Sequence, residues 1–310
     1  MAKKRKGSPF KYGIWDFIFD ILNHLFLIFL CVVTLYPFVN VIAISLNDAT
    51  DAVRGGIYIW PREFSWRNFE VILTENKNIV QALKISALRA LLGSALSVLS
   101  CLMVAYTLSR KDYIFRPVLT TFFVLTMYFS GGLIPTYLLI RYLGLINNFL
   151  VYIIPRLIAA FNIMIMRSYI ETIPYSLVEA AKIDGASEYR ILFTVIMPLS
   201  VPVLATILLY TAVGQWNSWF DTMLYCSSEP NLSTLQFELQ KLLQAARTMS
   251  SSAMDVALGT TSAEQQTKAA VTPNSIRAAM TVIAVVPILF VYPFLQRYFI
   301  HGLTLGGVKG

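Results

Sequence analysis

Six stretches of this chain, at roughly 21–46, 82–108, 114–138, 148–169, 200–224 and 276–298, are apolar for long enough to cross a bilayer. A spanning helix needs about 20 consecutive mostly apolar residues, whereas a soluble helix shows only an apolar stripe. Lipid offers the backbone no water, so each N–H and C=O must be paired within its own segment; a closed barrel would instead show short alternating strands. The sequence therefore predicts an all-α, polytopic membrane bundle with about six transmembrane helices. Composition agrees: 56% of the 310 residues are hydrophobic and the mean hydropathy is +0.63, more apolar surface than one soluble core of that length buries.

The net charge of +8 does not point to nucleic acid, because the cations are dispersed among apolar spans with no basic stripe carrying base-stacking aromatics. Lys3, Lys4, Arg5, Lys6 and Lys11 precede the first span and read as a topology signal that holds the N-terminus on the cytoplasmic side. With that orientation Arg110, Lys111, Arg116, Arg167, Lys182, Arg190, Arg297 and Lys309 also fall inside. The outside loops are longer and carry fewer cations, so both ends are expected in the cytoplasm of a multi-pass cell-membrane protein. The first apolar run is too long for a cleaved signal peptide, so it reads as an uncleaved helix.

The chain divides into a cytoplasmic N-terminal segment (1–20), a transmembrane domain (21–300) that includes a loop at 171–199, and a cytoplasmic tail (301–310). The first outside loop, about 47–80, holds Trp60, Phe64, Trp66 and Phe69 and reads as an interfacial turn with a short helix. The last, about 225–275, is rich in Ser, Thr, Ala and Gln from Met249 to Thr267, which suits a solvated excursion. Pro37, Pro135, Pro155, Pro202, Pro287 and Pro293 lie in or near the ends of spans and predict kinks.

The loop at 171–199 is the most informative stretch. Pro174 suits the first turn of a helix, Glu179 and Lys182 stand at i,i+3, and Gly185 can adopt the left-handed conformation that ends it. A second helix follows and runs to Pro198. The outcome is a helix–turn–helix in which the small pair Ala180 and Ala181 lets another surface approach closely. Taken on physics alone, the loop suits docking and suits an ordinary connector equally.

Glu179-Ala180-Ala181, Gly185 four residues later, and Val195-x-Met197-Pro198 resemble the EAA motif of ABC importer permeases. Val195 and Met197 stand where that family usually has Ile and Leu, both apolar exchanges. The resemblance extends over most of the chain, through Ser130-Gly131-Gly132-Leu133-Ile134-Pro135-Thr136-Tyr137, Trp216-Asn217-Ser218-Trp219 and the segment from Phe294 to Gly310, and is most similar to the maltose-permease-like carbohydrate branch, nearest to permeases for complex oligosaccharides. It implies a type I importer permease fold and a coupling helix seated in a separate ATPase. The residues it assigns to that docking are Glu179, Ala180, Ala181, Gly185 and Pro198, with Asp184 beside them. It further implies two ATPase subunits carrying ATP and Mg, a second, homologous permease in a heterodimer, an extracytoplasmic solute-binding protein, surrounding membrane lipids and an oligosaccharide substrate. This chain itself carries no Gly-rich Lys-Ser/Thr phosphate loop, so it is expected to bind no cofactor and to be no enzyme.

Arg156 falls inside the fourth span, where an isolated Arg costs about 2.5–3.5 kcal/mol to insert, so it is expected to face protein or water. Two readings stay open. In one it faces the path and attracts an acidic group on the cargo, aided by Lys84 and Arg89; in the other it is paired with carbonyls or a carboxylate of the partner permease. Gln215, Trp216, Asn217 and Trp219 combine amides with aromatic faces, a chemistry that stacks on sugar rings and equally builds an interfacial belt. His24 and His301 and the three scattered cysteines give no metal spacing, and no nucleophile–base set suggests catalysis. The competing classes are a secondary transporter, which calls for buried carboxylates or repeated broken-helix ion sites, and a non-transporting scaffold, which needs no docking loop.

Overall fold

The structure is a computed structural model that describes residues 14–52, 54–75, 77–245 and 273–307. The basic run from Lys3 to Lys11, the Met249–Thr267 excursion and Lys309 lie outside the described residues. The chain forms two compact units, one within residues 1–69 and 268–282, the other within 70–267 and 283–310.

The first unit begins with α1 (Ile14–Ser45), a 32-residue helix. At 1.5 Å per residue it is about 48 Å long, ample for a hydrocarbon core of about 30 Å. Phe17, Leu22, Phe26, Phe29 and Leu35 are all exposed on it. Each such side chain gains about 1.5–3 kcal/mol on leaving water, so the helix needs an apolar surround. The segment after α1 is more than the interfacial turn its aromatics suggest, because a network of buried amides pins it. Asn47 Oδ1 accepts from the backbone N–H groups of Arg62 (2.7 Å) and Glu63 (3.0 Å), and its Nδ2 donates to Asp51 (3.0 Å). Asn68 Nδ2 donates to the carbonyls of Ser45 and Asn47. Tyr58, Trp60, Phe64 and Trp66 stay exposed on this scaffold.

The second unit is organised around α2 (Lys77–Ser109), an unbroken 33-residue helix. The third and fourth apolar segments and the entry to the fifth, each a single run in sequence, are broken. The third forms α3 (Arg116–Tyr128) and α4 (Leu133–Tyr142), which meet at 118°. Extended backbone at Phe129 ends α3, and Gly132, the residue before α4, takes φ +86°, a conformation open to glycine. The fourth comprises two 3-10 turns, Phe149–Tyr152 and Ile154–Arg156, then α5 (Ala160–Ile170) at 48°. Pro155 removes a helical donor there, and the thiol of Cys101 sits against the loosened backbone, accepting from the N–H of Ala159 at 3.5 Å.

The loop contributes α6 (Ser176–Ile183) and α7 (Glu188–Leu199), the latter containing a π turn at Leu192–Ile196. A bend of 82° leads into α8 (Val201–Asn217). Pro198 and Pro202 flank that bend, each in the first turn of a helical piece, where a missing N–H costs least. There follow α9 (Phe220–Tyr225), α10 (235–245) and α11 (Pro273–Gly307), so all six apolar segments are helical. The main core joins Leu102 and Ala105 of α2, Ile163 and Met166 of α5, Val178 of α6, Ile191 and Ile196 of α7, and Leu204 and Ile207 of α8.

Candidate functional site

The hairpin α6–α7 is built by its own sequence. Helix α6 begins at Ser176, two residues after Pro174. It ends in a Schellman turn: the N–H of Ala186 donates to the carbonyl of Ala181 (2.9 Å) and that of Gly185 to Lys182 (3.0 Å), with Gly185 at φ +79°. Ser187 then caps α7 by accepting from the N–H of Arg190. Val178, Ile191, Leu192 and Ile196 root both arms in the core. The opposite side is free: Glu179, Ala180, Asp184, Gly185 and Pro198 are exposed, while Ala181 leans on the core. Ile183 and Tyr189 are 86% and 72% exposed on either side of the turn, apolar surface offered by a rigid hairpin.

Sequence reading missed what fastens the hairpin. Lys182, expected to meet Glu179, reaches Glu188 instead, with Nζ 3.0 Å from Oε1. The other oxygen of Glu188 accepts from Arg110 Nη2 (2.8 Å) and from the hydroxyl of Tyr106. Arg110 also stacks over the Tyr106 ring, 4.5 Å from its centroid. Burial opposes ionisation of Glu188, but hydrogen bonds from Tyr106, Arg110 and Lys182 outweigh it and hold the carboxyl at about 2. Nearby, Glu171 accepts from Arg116 (2.7 Å) and Arg167 (2.9 Å).

A second polar node lies toward the other end of α2. Arg89 has no exposed surface. Its guanidinium is paired bidentately with Asp221, its Nε donates to Gln215 Oε1 (2.8 Å), its Nη1 also donates to the carbonyl of Ser218 (3.2 Å), and the ring of Tyr152 lies 4.6 Å away. Full pairing of this kind is what a buried guanidinium requires. Arg89 is thus buried and fully paired, which does not fit the one of the two sequence readings in which it helps attract cargo. Arg156 does retain exposure, at 44% of its side chain, and its Nη2 lies 3.0 Å from Ser218 Oγ and 3.5 Å from Asp221. Asp221 of this chain thus lies within ion-pair distance of it. Lys84 is exposed, five residues before Arg89.

The amide and aromatic candidates separate in the same way. Gln215 is buried, its Nε2 donating to the carbonyl of Tyr152 (3.1 Å), and Trp216 is buried with its indole N–H on the carbonyl of Ala284 (2.9 Å). Gly93 is the reason Gln215 fits, since a Cβ there would lie 2.8 Å from Gln215 Nε2. Asn217 is exposed and Trp219 half-buried, edge-on to Phe220 at 5.9 Å. Arg156, Asn217 and Trp219 thus remain accessible; Gln215 and Trp216 are committed to holding helices together.

Broken apolar spans that gather charged side chains, with a helical hairpin rooted in the core and apolar at its tip, fit a polytopic membrane transport protein. Residues 97–305 match the family described as binding-protein-dependent transport system inner membrane component. The chain belongs to that family, the permeases of ABC importers. It is 35% identical over 293 residues to the polygalacturonan/rhamnogalacturonan transport system permease protein YtcP of Bacillus subtilis (strain 168), covering 94% of this chain and 99% of that one. Protein LplC of the same organism is 32% identical, covering 94% and 95%. Among solved structures, a bacterial ABC transporter involved in the import of the acidic polysaccharide alginate matches with a TM-score of 0.81 at 28% identity, covering 94% of this chain and 100% of that one.

Proposed function

We propose that this chain forms one half of the translocation path of an ATP-driven importer for acidic oligosaccharides, and that its hairpin docks on a separate ATPase. The observation that carries the docking reading is the hairpin's two-sidedness, with Val178 and Ile191 anchored in the core and Glu179, Ala180, Ile183, Asp184, Gly185 and Tyr189 turned outward. A rigid, partly apolar projection of this size fits a cleft in a soluble partner. ATP and Mg belong to that partner, a second permease completes the path, and a solute-binding protein delivers cargo from outside. The hairpin and both termini then face the cytoplasm.

The cargo reading rests on charge. Arg89 and Arg156 share Asp221, so two guanidinium groups meet one carboxylate, and the surplus positive charge sits on the exposed Arg156 beside Asn217 and Trp219. A uronate carboxylate meets Arg bidentately, while Trp219 and Asn217 offer a ring face and an amide to the sugar. Names of relatives that transport polygalacturonan, and the alginate importer, support an acidic substrate. The ion-driven alternative loses ground at the same residue: Asp221 is neutralised by arginine and offers no free carboxylate for a cation.

The test is reconstitution with the cognate ATPase, partner permease and solute-binding protein in proteoliposomes, with uptake of oligogalacturonides and of neutral galacto-oligosaccharides compared. Arg156→Ala is expected to lower oligogalacturonide uptake about tenfold, the loss of roughly one charge-assisted pair, and neutral uptake less than twofold. An equal fall in both removes the acidic-substrate reading. Absence of ATPase stimulation in the wild-type assembly removes the docking reading.

A further inference from the structure

Two routes run from the hairpin to the Arg89–Asp221 node, and they differ in stiffness. The covalent route follows α7 into α8, passing a π turn at Leu192–Ile196 and an 82° bend at Ser200, so it is jointed. The other route is α2, which is unbroken from Lys77 to Ser109. Tyr106 and Arg110 at its end hold Glu188, and Arg89, 17 residues before Tyr106 and so about 26 Å along the axis, holds Asp221 and Gln215.

We infer that Glu188 is a positioning residue for transport: it clamps both arms of the hairpin to α2, so that α2 moves with the docking loop and carries that movement as a rod to the node that orients Arg156. The geometry behind this is a convergence of three donors on one carboxylate. Tyr106 comes from α2 and Arg110 directly follows that helix, Lys182 comes from α6, and Glu188 itself opens α7. The hairpin is otherwise attached mainly by the apolar contacts of Val178, Ile191, Leu192 and Ile196, which are non-directional, with Lys182 at 3.9 Å from Asp112 and Arg110 at 5.8 Å from the Tyr175 ring as long, weak polar contacts. Charge-assisted hydrogen bonds fix direction as well as distance. Without Glu188 the hairpin is free to slide over the core while α2 stays behind. At the far end, the fully buried guanidinium of Arg89 cannot leave Asp221 without stranding a charge, so a shift of α2 moves Asp221 and, through it, Arg156.

This inference rests on the docking reading above, and the reconstituted assembly separates the two. A wild-type assembly whose ATPase is not stimulated fails the docking reading. With stimulation established, the quantity measured is oligogalacturonide transported per ATP hydrolysed. Glu188→Gln is expected to lower that ratio about tenfold in an assembly that still co-purifies, with the half-saturating substrate concentration within twofold of wild type. Glu188→Asp is expected to recover at least half of the ratio. Ala95→Gly with Leu96→Gly, two substitutions on the exposed side of α2 between the clamps, is expected to lower it about threefold by softening the rod. Should Glu188→Gln fail to assemble, Tyr106→Phe removes one of the three donors and is expected to lower the ratio two- to fivefold. A ratio within twofold of wild type in Glu188→Gln, or in Tyr106→Phe when that variant stands in for it, overturns the inference.

Discussion

Two nodes along α2, one within it and one at its C-terminal end, use the same chemistry, arginine on a carboxylate, with carboxylates in opposite surroundings. At Arg89–Asp221 the side chains are 0% and 11% exposed; at Arg110–Glu188 the arginine is 10% exposed but the carboxylate is 53% exposed. A dry pair is held by what its rupture would cost, because desolvation has already been incurred and either partner left alone is an uncompensated charge. A wet pair is worth little in stability, and its value is geometric. One end therefore behaves as a permanent joint and the other as a fitting that sets direction.

The largest expected effect tests the dry end. Arg89→Ala leaves Asp221 facing a cavity with its main partner gone, a loss of about 3–5 kcal/mol, seen as a sharp fall in the temperature at which the detergent-solubilised protein loses its monodisperse peak. Arg89→Met with Asp221→Leu is expected to recover most of that loss; a double variant as unstable as the single one would break the comparison. Next comes Gly93→Ala. The helix gains about 1 kcal/mol from the substitution, but the new methyl displaces Gln215 from Tyr152 and Arg89 and leaves buried groups unpaired at about 1–3 kcal/mol, for a net loss near 1 kcal/mol by the same thermal assay. A stabilised Gly93→Ala would show that Gln215 has room the dry end does not allow.

The smallest effect concerns pH at the wet end. Glu188 is held at about 2 against an ordinary value of 4.5, so its contribution is complete above about 4.5 and is lost only as pH falls toward 2. Amide exchange of residues 176–191, corrected for intrinsic rates, is accordingly expected to be flat from pH 8 to 5. A step centred near pH 6 would mean that the fitting is made by some other group.

What the sequence discloses follows the range of the interactions. Apolar run length is local, and all six segments are helical. The turn at Gly185 was legible for the same reason, since the glycine and the Schellman bonds that use it lie within six residues. The break at Gly131–Gly132 had a visible signal in the glycine pair, but inside an apolar run it reads equally as close helix packing. The π turn at Leu192–Ile196 had none that we identified. Arg89 and Asp221 are 132 residues apart, and Glu188 is 78 from Arg110, so neither partner announces the other. Gln215 and Trp216 show the remaining limit: amide and indole donors look alike in sequence whether they wait for a sugar or are spent on Tyr152 and Ala284.

The ion pairs also fix the direction in which the chain runs. Arg116 meets Glu171, so the stretch from α3 to the end of α5, with its 118° and 48° bends, returns to where it began. Arg89 lies within α2 and Arg110 just beyond its end, and their partners Asp221 and Glu188 are joined through α8, so α8 runs antiparallel to α2. The out-and-back course of the chain is thus written in three salt bridges, independently of any count of lysines and arginines in the loops.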